Sequence, residues 1–188
     1  MTENRGRWIT LFAVVAGVIG LDQLSKRWII ENVRLGELRE PIAFLNDYFR
    51  ITYSENTGFA FGMGQGGGNI IMLIAIGAVT GMLYYYPRIQ PEAFFTRIGM
   101  GMVMGGALGN VIDRLEYGFV VDFINYRIPS VISNVSNIAD HAIVIGVFVI
   151  LFDNWRLERL EKQAQIEATE GDLQTEALIT EPESQTDV

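Results

Sequence analysis

Long apolar runs, broken by short polar stretches, fill most of the chain up to about position 156. Trp8–Leu21 is 14 residues without a charge, Asn69–Tyr86 is 18, Ala142–Phe152 is 11 after Asp140, and Phe94–Ile112 carries Arg97 as its only charge. Runs of this kind suit helices in a bilayer, where a crossing takes about 20 apolar residues. They predict four transmembrane helices. Arg5 and Arg7 before the first run could belong to a signal peptide, but no small-x-small cleavage site follows, so Trp8–Ile30 is read as a retained first span. At ~1.5 Å per residue Asp22 lies ~21 Å from Trp8, inside a ~30 Å hydrocarbon core. Lys26 stands four positions on, on the same helix face, either as a helix-end ion pair or as support for a nearby site.

The connections are uneven. Glu31–Gly68 is polar and mixed; Tyr48–Tyr53 alternates as a short strand, and Asn56–Gly68 reads as a glycine-rich loop. That is too long for a bare helix connection and predicts a small β-containing insert. Gly62–Gly67 matches G-x-G-x-x-G in form, but a membrane span and not a βαβ unit follows it, which argues against nucleotide binding. Pro87–Glu92 is a tight turn. Gly101, Gly105 and Gly109 recur at four-residue spacing, and Gly77 and Gly81 match them on the second span, as faces where helix backbones approach closely. The fourth span runs from Asn137 to about Trp155, with Arg156, Arg159 and Lys162 behind it. The predicted fold is therefore a membrane all-α core, a four-transmembrane-helix bundle with a small β-containing insert on the outer face. Its membrane domain covers residues 1–156, with the insert at about 31–68 and an outer loop at about 113–137, and residues 157–188 form a cytoplasmic, acidic and disordered tail.

Composition adds exclusions more than it adds structure. An apolar fraction of 49% and a mean hydropathy of +0.24 would pass for a soluble domain; only the windows reveal the spans. There is no cysteine, which removes disulfides, thiolate metal sites, a cysteine nucleophile and lipid modification on cysteine. His141 is the only histidine, so a histidine-rich zinc site is excluded, while a carboxylate-bound Mg²⁺ or Ca²⁺ stays formally open. The net charge of −8 disfavours nucleic acid, and much of it lies in the tail. Four spans put both termini on one side, and Arg5/Arg7, Arg88/Arg97 and Arg156/Arg159/Lys162 would then face the cytoplasm.

Alternating spans bring the end of the first, the end of the third and the start of the fourth to one membrane face. Asp22, Asn56, Asn110, Asp113, Arg114, Asp122, Asn137 and Asp140 all belong there and look like one site. Asp122 lies inside the apolar run FVVDFI, and Asp140 follows 18 positions later, about one turn into the fourth span. Two carboxylates ~4 Å apart at an effective dielectric near 20 repel by about 4 kcal/mol, roughly three pKa units. They would share one proton at neutral pH, the ionised member taking a proton from water while the protonated one donates to a carbonyl oxygen, as in aspartic proteases. The alternative is structural: Asp122 pairs with Arg114 or Arg127, Asp140 caps its helix, and Asp113 pairs with Arg114. A proton- or ion-coupled transporter would also hold intramembrane acids, but it predicts polar residues in both halves of the bilayer and internal repeats, and neither is present. A scaffold held by glycine contacts leaves the two aspartates without a purpose.

Five blocks, taken in order, resemble those of bacterial lipoprotein signal peptidase, or signal peptidase II, an aspartic membrane protease family. They are Asp22-Gln-Leu-Ser-Lys26, Asn56-Thr-Gly-Phe-Ala-Phe-Gly62, Gly105-Gly-Ala-Leu-Gly-Asn-Val-Ile-Asp-Arg114, Gly118-Phe-Val-Val-Asp-Phe123 and Asn137-Ile-Ala-Asp140. The resemblance implies that Asp122 and Asp140 are the catalytic dyad, that Asn56, Asn110 and Arg114 line the substrate cleft, and that Asp22, Lys26, Asp113 and Asn137 support it. It further implies a monomer in the bacterial inner membrane that needs no metal or cofactor, has cytoplasmic termini and an active site toward the outer face, and meets its substrate among the membrane lipids. That substrate would be a diacylglyceryl-modified prolipoprotein, cut before the lipidated cysteine, and the cyclic peptide globomycin would block the enzyme by occupying the dyad. Phe59 and Gly62 stand where the family usually has alanine and serine, Ser136 where phenylalanine is usual, and His141 where a small or apolar residue is commoner. These departures bear on the shape of the cleft, and His141 also on the pH optimum. The insert is expected to act as a platform that limits water entry over the lipid–peptide junction.

Overall fold

The computed structural model describes residues 2–58, 68–128 and 132–180. Phe59 and most of the glycine loop, including the G-x-G-x-x-G match, lie outside the described residues. The described residues hold four long helices and a four-stranded sheet, joined by turns and two short 3-10 helices: α1 (Thr2–Asn32), β1 (Leu38–Arg39), β2 (Phe49–Asn56), α2 (Gly68–Tyr85), α3 (Phe94–Glu116), β3 (Val120–Ile128), β4 (Ile132–Ser136) and α4 (Ile138–Thr180).

Among the described residues three segments are long and apolar enough to cross a membrane: Arg5–Asn32, Gly68–Arg88 and Ile138–Gly171. Helix α3 is not among them. Its five glycines and its polar positions, Thr96, Arg97, Asn110, Asp113, Arg114 and Glu116, dilute its hydropathy. It is instead the central helix, packed against α1, α2 and α4. The lipid-like exterior belongs to the other helices, where Ile9, Phe12, Leu21, Leu24 and Trp28 of α1 and Val144, Phe148 and Leu151 of α4 are exposed. The buried stripe of α1 is Leu11, Val15, Asp22, Lys26 and Ile29, spaced at helical intervals and continued by Val33 just past the helix end, so the charged pair sits within an otherwise apolar face.

Glycine sets the closeness of α3 to its neighbours. A Cβ on Gly101 would fall 2.9 Å from Val14 and one on Gly105 2.8 Å from Val18, both on α1. On another face of α3, a Cβ on Gly99 would fall 2.6 Å from the Gly146 carbonyl oxygen and one on Gly106 would run into the Ala139 carbonyl oxygen, both on α4. The expected match with α2 does not form: a Cβ on Gly77 or Gly81 would meet no neighbouring element within 4 Å among the described residues. Four-residue spacing identifies a surface suited to close approach but not its partner, and here the glycine faces meet α1 valines and an α4 glycine. At the far end of the bundle Asp153 of α4, fully buried, accepts from the Thr96 amide at 2.7 Å and the Thr96 hydroxyl at 2.9 Å, capping the start of α3 from across the interface.

The sheet is antiparallel in the order β1-β2-β3-β4. It is thus not an autonomous insert, because β1 and β2 come from the α1–α2 connection and β3 and β4 from the α3–α4 connection. The FVVDFI run, expected to dip against bundle or bilayer, is the opening of β3; its Val, Phe and Ile content suits a strand, and Val120 to Phe123 are buried. Pairing of Ile51 with Ile124 and of Ser54 with Asp122 spends one residue more on β2 than on β3, so β2 carries a bulge there. Without it Asn56 would lie on the opposite face of the sheet from Asp122. Val121 and Phe123 pack with Ile29 and Val33, which pins the sheet to the end of α1.

Helix α4 continues to Thr180 through residues whose composition predicts no ordered structure. Every described side chain from Glu158 onward is exposed, so the extension is a helix made by its Ala, Glu, Gln, Leu and Lys content and not by packing.

Substitution tests the glycine contacts. Gly99→Ala and Gly146→Ala should each lower stability by about 1–3 kcal/mol through overpacking, whereas Gly77→Ala should stay within about 0.5 kcal/mol of wild type. Thermal melting in detergent reads both, and equal losses at all three positions would contradict the α3–α4 assignment.

Candidate active site

Two pieces of local structure deliver the aspartates. Helix α3 ends at Glu116, and Gly118, at φ +82°, turns the chain into β3 with its amide bonded to the Arg114 carbonyl. That tight exit lets Asp113 accept the Val121 amide at 3.0 Å, fixing the strand that carries Asp122. Asn137 precedes α4 as its N-cap: its Oδ1 accepts the Asp140 amide at 2.9 Å, while Asp22 accepts the Ala139 amide at 2.9 Å. Asp140 is therefore in the first turn of α4 and is not its cap; Asn137 holds that place.

Beneath lies a buried charged cluster. The Lys26 ammonium is 2.7 Å from Asp22 Oδ2, 2.8 Å from Asp113 Oδ2 and 3.0 Å from Asn110 Oδ1, with Lys26 1% exposed and both aspartates fully buried. All three ammonium hydrogens are thereby used. Gln23 completes the cluster by donating to Asp113 Oδ1 at 2.7 Å. Sequence reasoning passed over Gln23, whose only signal was its place beside Asp22. It also paired Asp113 with Arg114. Neighbours on a helix point about 100° apart, and Arg114 instead donates to the carbonyls of Asn110 and Gly58 at 3.2 and 3.1 Å.

Three asparagines convert this cluster into an oriented site. Each has its amide oxygen held by a group that can only donate, so its NH2 must face the other way. The Asn110 oxygen faces the Lys26 ammonium, and its nitrogen donates to Asp140 Oδ1 at 2.8 Å. In Asn137 the oxygen faces the Asp140 amide and the nitrogen donates to Asp122 Oδ1 at 2.7 Å, also lying 3.2 Å from Asn110 Oδ1. Asn56 accepts the Gly58 amide at 3.0 Å and donates to Asp122 Oδ2 at 2.8 Å.

Asp122 and Asp140 are thus joined through Asn137 and Asn110 into one cluster. Neither the Asp122–Arg114 nor the Asp122–Arg127 ion pair forms among the described residues. Burial pushes the Asp122 carboxyl up to about 7, with the nearby charge of Asp140 adding to the rise, and the donations from Asn56 and Asn137 offset only part of it. Asp140 Oδ2 accepts no hydrogen bond among the described residues, and Asp140 is only half-buried. Such a pair has the parts for acid–base chemistry on an approaching carbonyl: a carboxyl that holds a proton near neutral pH and a carboxylate oxygen left open. Among the described residues no group of three or more acidic or imidazole side chains is arranged to hold a metal ion.

Neutralising Lys26 should expose the cost of the cluster. Lys26→Met leaves two buried carboxylates uncompensated and should destabilise by about 3–5 kcal/mol, read as detergent thermal melting; a loss under about 1 kcal/mol would mean the trio is solvated.

A family model described as signal peptidase (SPase) II matches residues 14–156. A lipoprotein signal peptidase of Halothermothrix orenii is 34% identical over 150 residues, covering 80% of this chain and 98% of that one. Another, of Clostridioides difficile, is 38% identical over 146 residues, covering 75% and 95%. A bacterial membrane enzyme solved by the in meso method at 2.3 Å superposes with a TM-score of 0.70 at 30% identity, covering 78% of this chain and 88% of that one.

Proposed function

The chain belongs to the signal peptidase II family of bacterial multi-pass membrane proteins, and from that premise we propose that it is an aspartic endopeptidase acting within the membrane. Its substrate is a diacylglyceryl-modified prolipoprotein, and cleavage falls before the lipidated cysteine. Asp122 and Asp140 are the catalytic residues. The single observation that carries this reading is the pair of carboxylates held by Asn56, Asn110 and Asn137, one of them poised to keep a proton near pH 7.

The chemistry follows from the geometry. Asp140 Oδ2 takes a proton from a water whose oxygen bonds to the scissile carbonyl carbon, while Asp122 gives its proton to the carbonyl oxygen. Collapse of the resulting diol breaks the C–N bond; the proton on Asp140 passes to the leaving amine, and a diol hydroxyl returns one to Asp122. A protonated Asp122 keeps a lone pair on each oxygen, so its two amide donors need not move. Arg114, anchored on the Gly58 carbonyl at the edge of the site, lines the substrate cleft with Asn56 and Asn110. Asp22, Lys26 and Asp113 are positioning residues.

A substrate tethered by an apolar signal helix and acyl chains moves only in the bilayer plane, so the carboxylates need to lie at membrane depth. Helix α3, sheltered by α1, α2 and α4, serves as the fourth span. With four crossings both termini are cytoplasmic and the sheet and the aspartates lie toward the outer face. The enzyme acts as a monomer, and no metal takes part.

Asp122→Asn and Asp140→Asn keep side-chain shape and remove the ionisable group, so each should abolish cleavage of a diacylglyceryl-prolipoprotein in a micellar gel-shift assay. Wild-type cleavage with near-normal activity in either variant would overturn the dyad. The profile against pH should fall on the alkaline side as Asp122, raised to about 7, loses its proton and can no longer serve as the acid; a rate still rising at pH well above 7 would reverse the assigned roles.

A further inference from the structure

His141 and Tyr126 belong to none of the roles above, yet they touch the turn that aims the site. The His141 Nδ1 lies 2.6 Å from the Asn137 carbonyl oxygen, and since a carbonyl only accepts, Nδ1 carries the hydrogen. Nε2 is then free to accept the Tyr126 hydroxyl, which stands 2.7 Å away, with the two rings 5.5 Å apart. Tyr126 is fixed in turn by β3, where it pairs with Phe49 and Asn134, and by ring contact with Phe49 at 6.2 Å. Meanwhile the main-chain bond that should close the first turn of α4, from the His141 amide to the Asn137 carbonyl, is stretched to 3.4 Å. The imidazole supplies the closer contact that the backbone lacks.

We infer that His141, held by Tyr126, is a positioning residue that locks the Asn137 turn and so aims the Asn137 amide at Asp122 and its oxygen at the Asp140 amide. The link runs from β3 through Tyr126 and His141 to Asn137, and from there back to β3 at Asp122, a closed loop that ties the two catalytic strands of chain together. The inference rests on the dyad proposed above for its consequence in turnover, but its geometry is independent of the substrate.

The experiment uses the full-length protein in detergent and four variants: His141→Ala, His141→Asn, Tyr126→Phe and the His141→Ala/Tyr126→Phe double. Cleavage of a diacylglyceryl-prolipoprotein should show kcat roughly tenfold lower in the first and third with KM nearly unchanged, because a sub-ångström loss of aim acts on the chemical step. The double should be no worse than the poorer single, as expected for one shared linkage. His141→Asn places an amide where Nδ1 stood and should recover most of the loss. In parallel, the titration midpoint of the Asp122 carboxyl, followed by infrared difference against Asp122→Asn, should move upward in His141→Ala and Tyr126→Phe as the Asn137 donation weakens. A clamp that only stabilised the fold would lower melting temperature and leave both kcat and this midpoint in place, which would overturn the inference. If His141→Ala does not fold, Tyr126→Phe, which removes one oxygen, carries the test. If wild type fails to cleave, the dyad reading falls, and the Asp122 midpoint alone decides whether His141 positions Asn137.

Discussion

A buried ammonium with three donors and no acceptor governs the orientation of the whole site. Lys26 spends its hydrogens on Asp22, Asp113 and Asn110, and the last of these fixes which way an otherwise ambiguous amide points. Once the Asn110 oxygen is committed to Lys26, its nitrogen has to face Asp140. The same logic, with backbone amides in place of the ammonium, turns Asn137 and Asn56 toward Asp122. Asparagine suits these places because it accepts on one side and donates on the other without charge, whereas an aspartate would set a third carboxylate against the pair. The charged trio carries a large desolvation cost, and the orientation it imposes is the return.

The fold serves that arrangement by bringing distant pieces of chain to one end of the bundle. Central α3 presents Asn110 and Asp113, α1 contributes Asp22 and Lys26, α4 begins at Asn137, and the sheet inserts Asp122 from above. Because the sheet draws on the α1–α2 and α3–α4 connections, β2 and β3 must pair for Asn56 to meet Asp122, and the bulge between Ile51 and Ser54 settles the face. Glycines along α3 allow the helices to close around it, and Gly109 does so directly beneath the site, where a Cβ would fall 2.7 Å from Asp22 Oδ2.

Much of this was legible in the sequence because hydrophobic windows and buried charges are local signals. The apolar runs fall on all four helices and match α2 closely, but α1 already begins at Thr2, before its run, and α4 continues to Thr180 through an extension that obeys helix propensity and not burial. Of the polar residues gathered by parity, Asp22, Asn56, Asn110, Asp113, Asp122, Asn137 and Asp140 are joined into one hydrogen-bonded cluster, with Lys26 linking the first of them to the rest and Arg114 at its edge. What could not be read was pairing across long separations. Strand β3 appeared only as an apolar run, since a strand buried on both faces loses its alternation; Asp113 seemed a partner for its neighbour Arg114, since sequence adjacency says nothing of direction around a helix; and the partners of the α3 glycines, the role of Asp153 and the bulge in β2 all depend on contacts that exist only in three dimensions.

The central claim is that burial, offset only in part by the two amide donations, leaves one carboxyl, Asp122, holding a proton near neutral pH. The direct measurement is infrared absorption of protonated carboxyl groups in detergent-solubilised protein, taken across pH for wild type and Asp122→Asn. The account predicts a carboxylic-acid band in wild type that fades with a midpoint of about 7 and is missing from the variant. A wild-type spectrum with no such band at pH 6, or a band that survives the substitution unchanged, would contradict it.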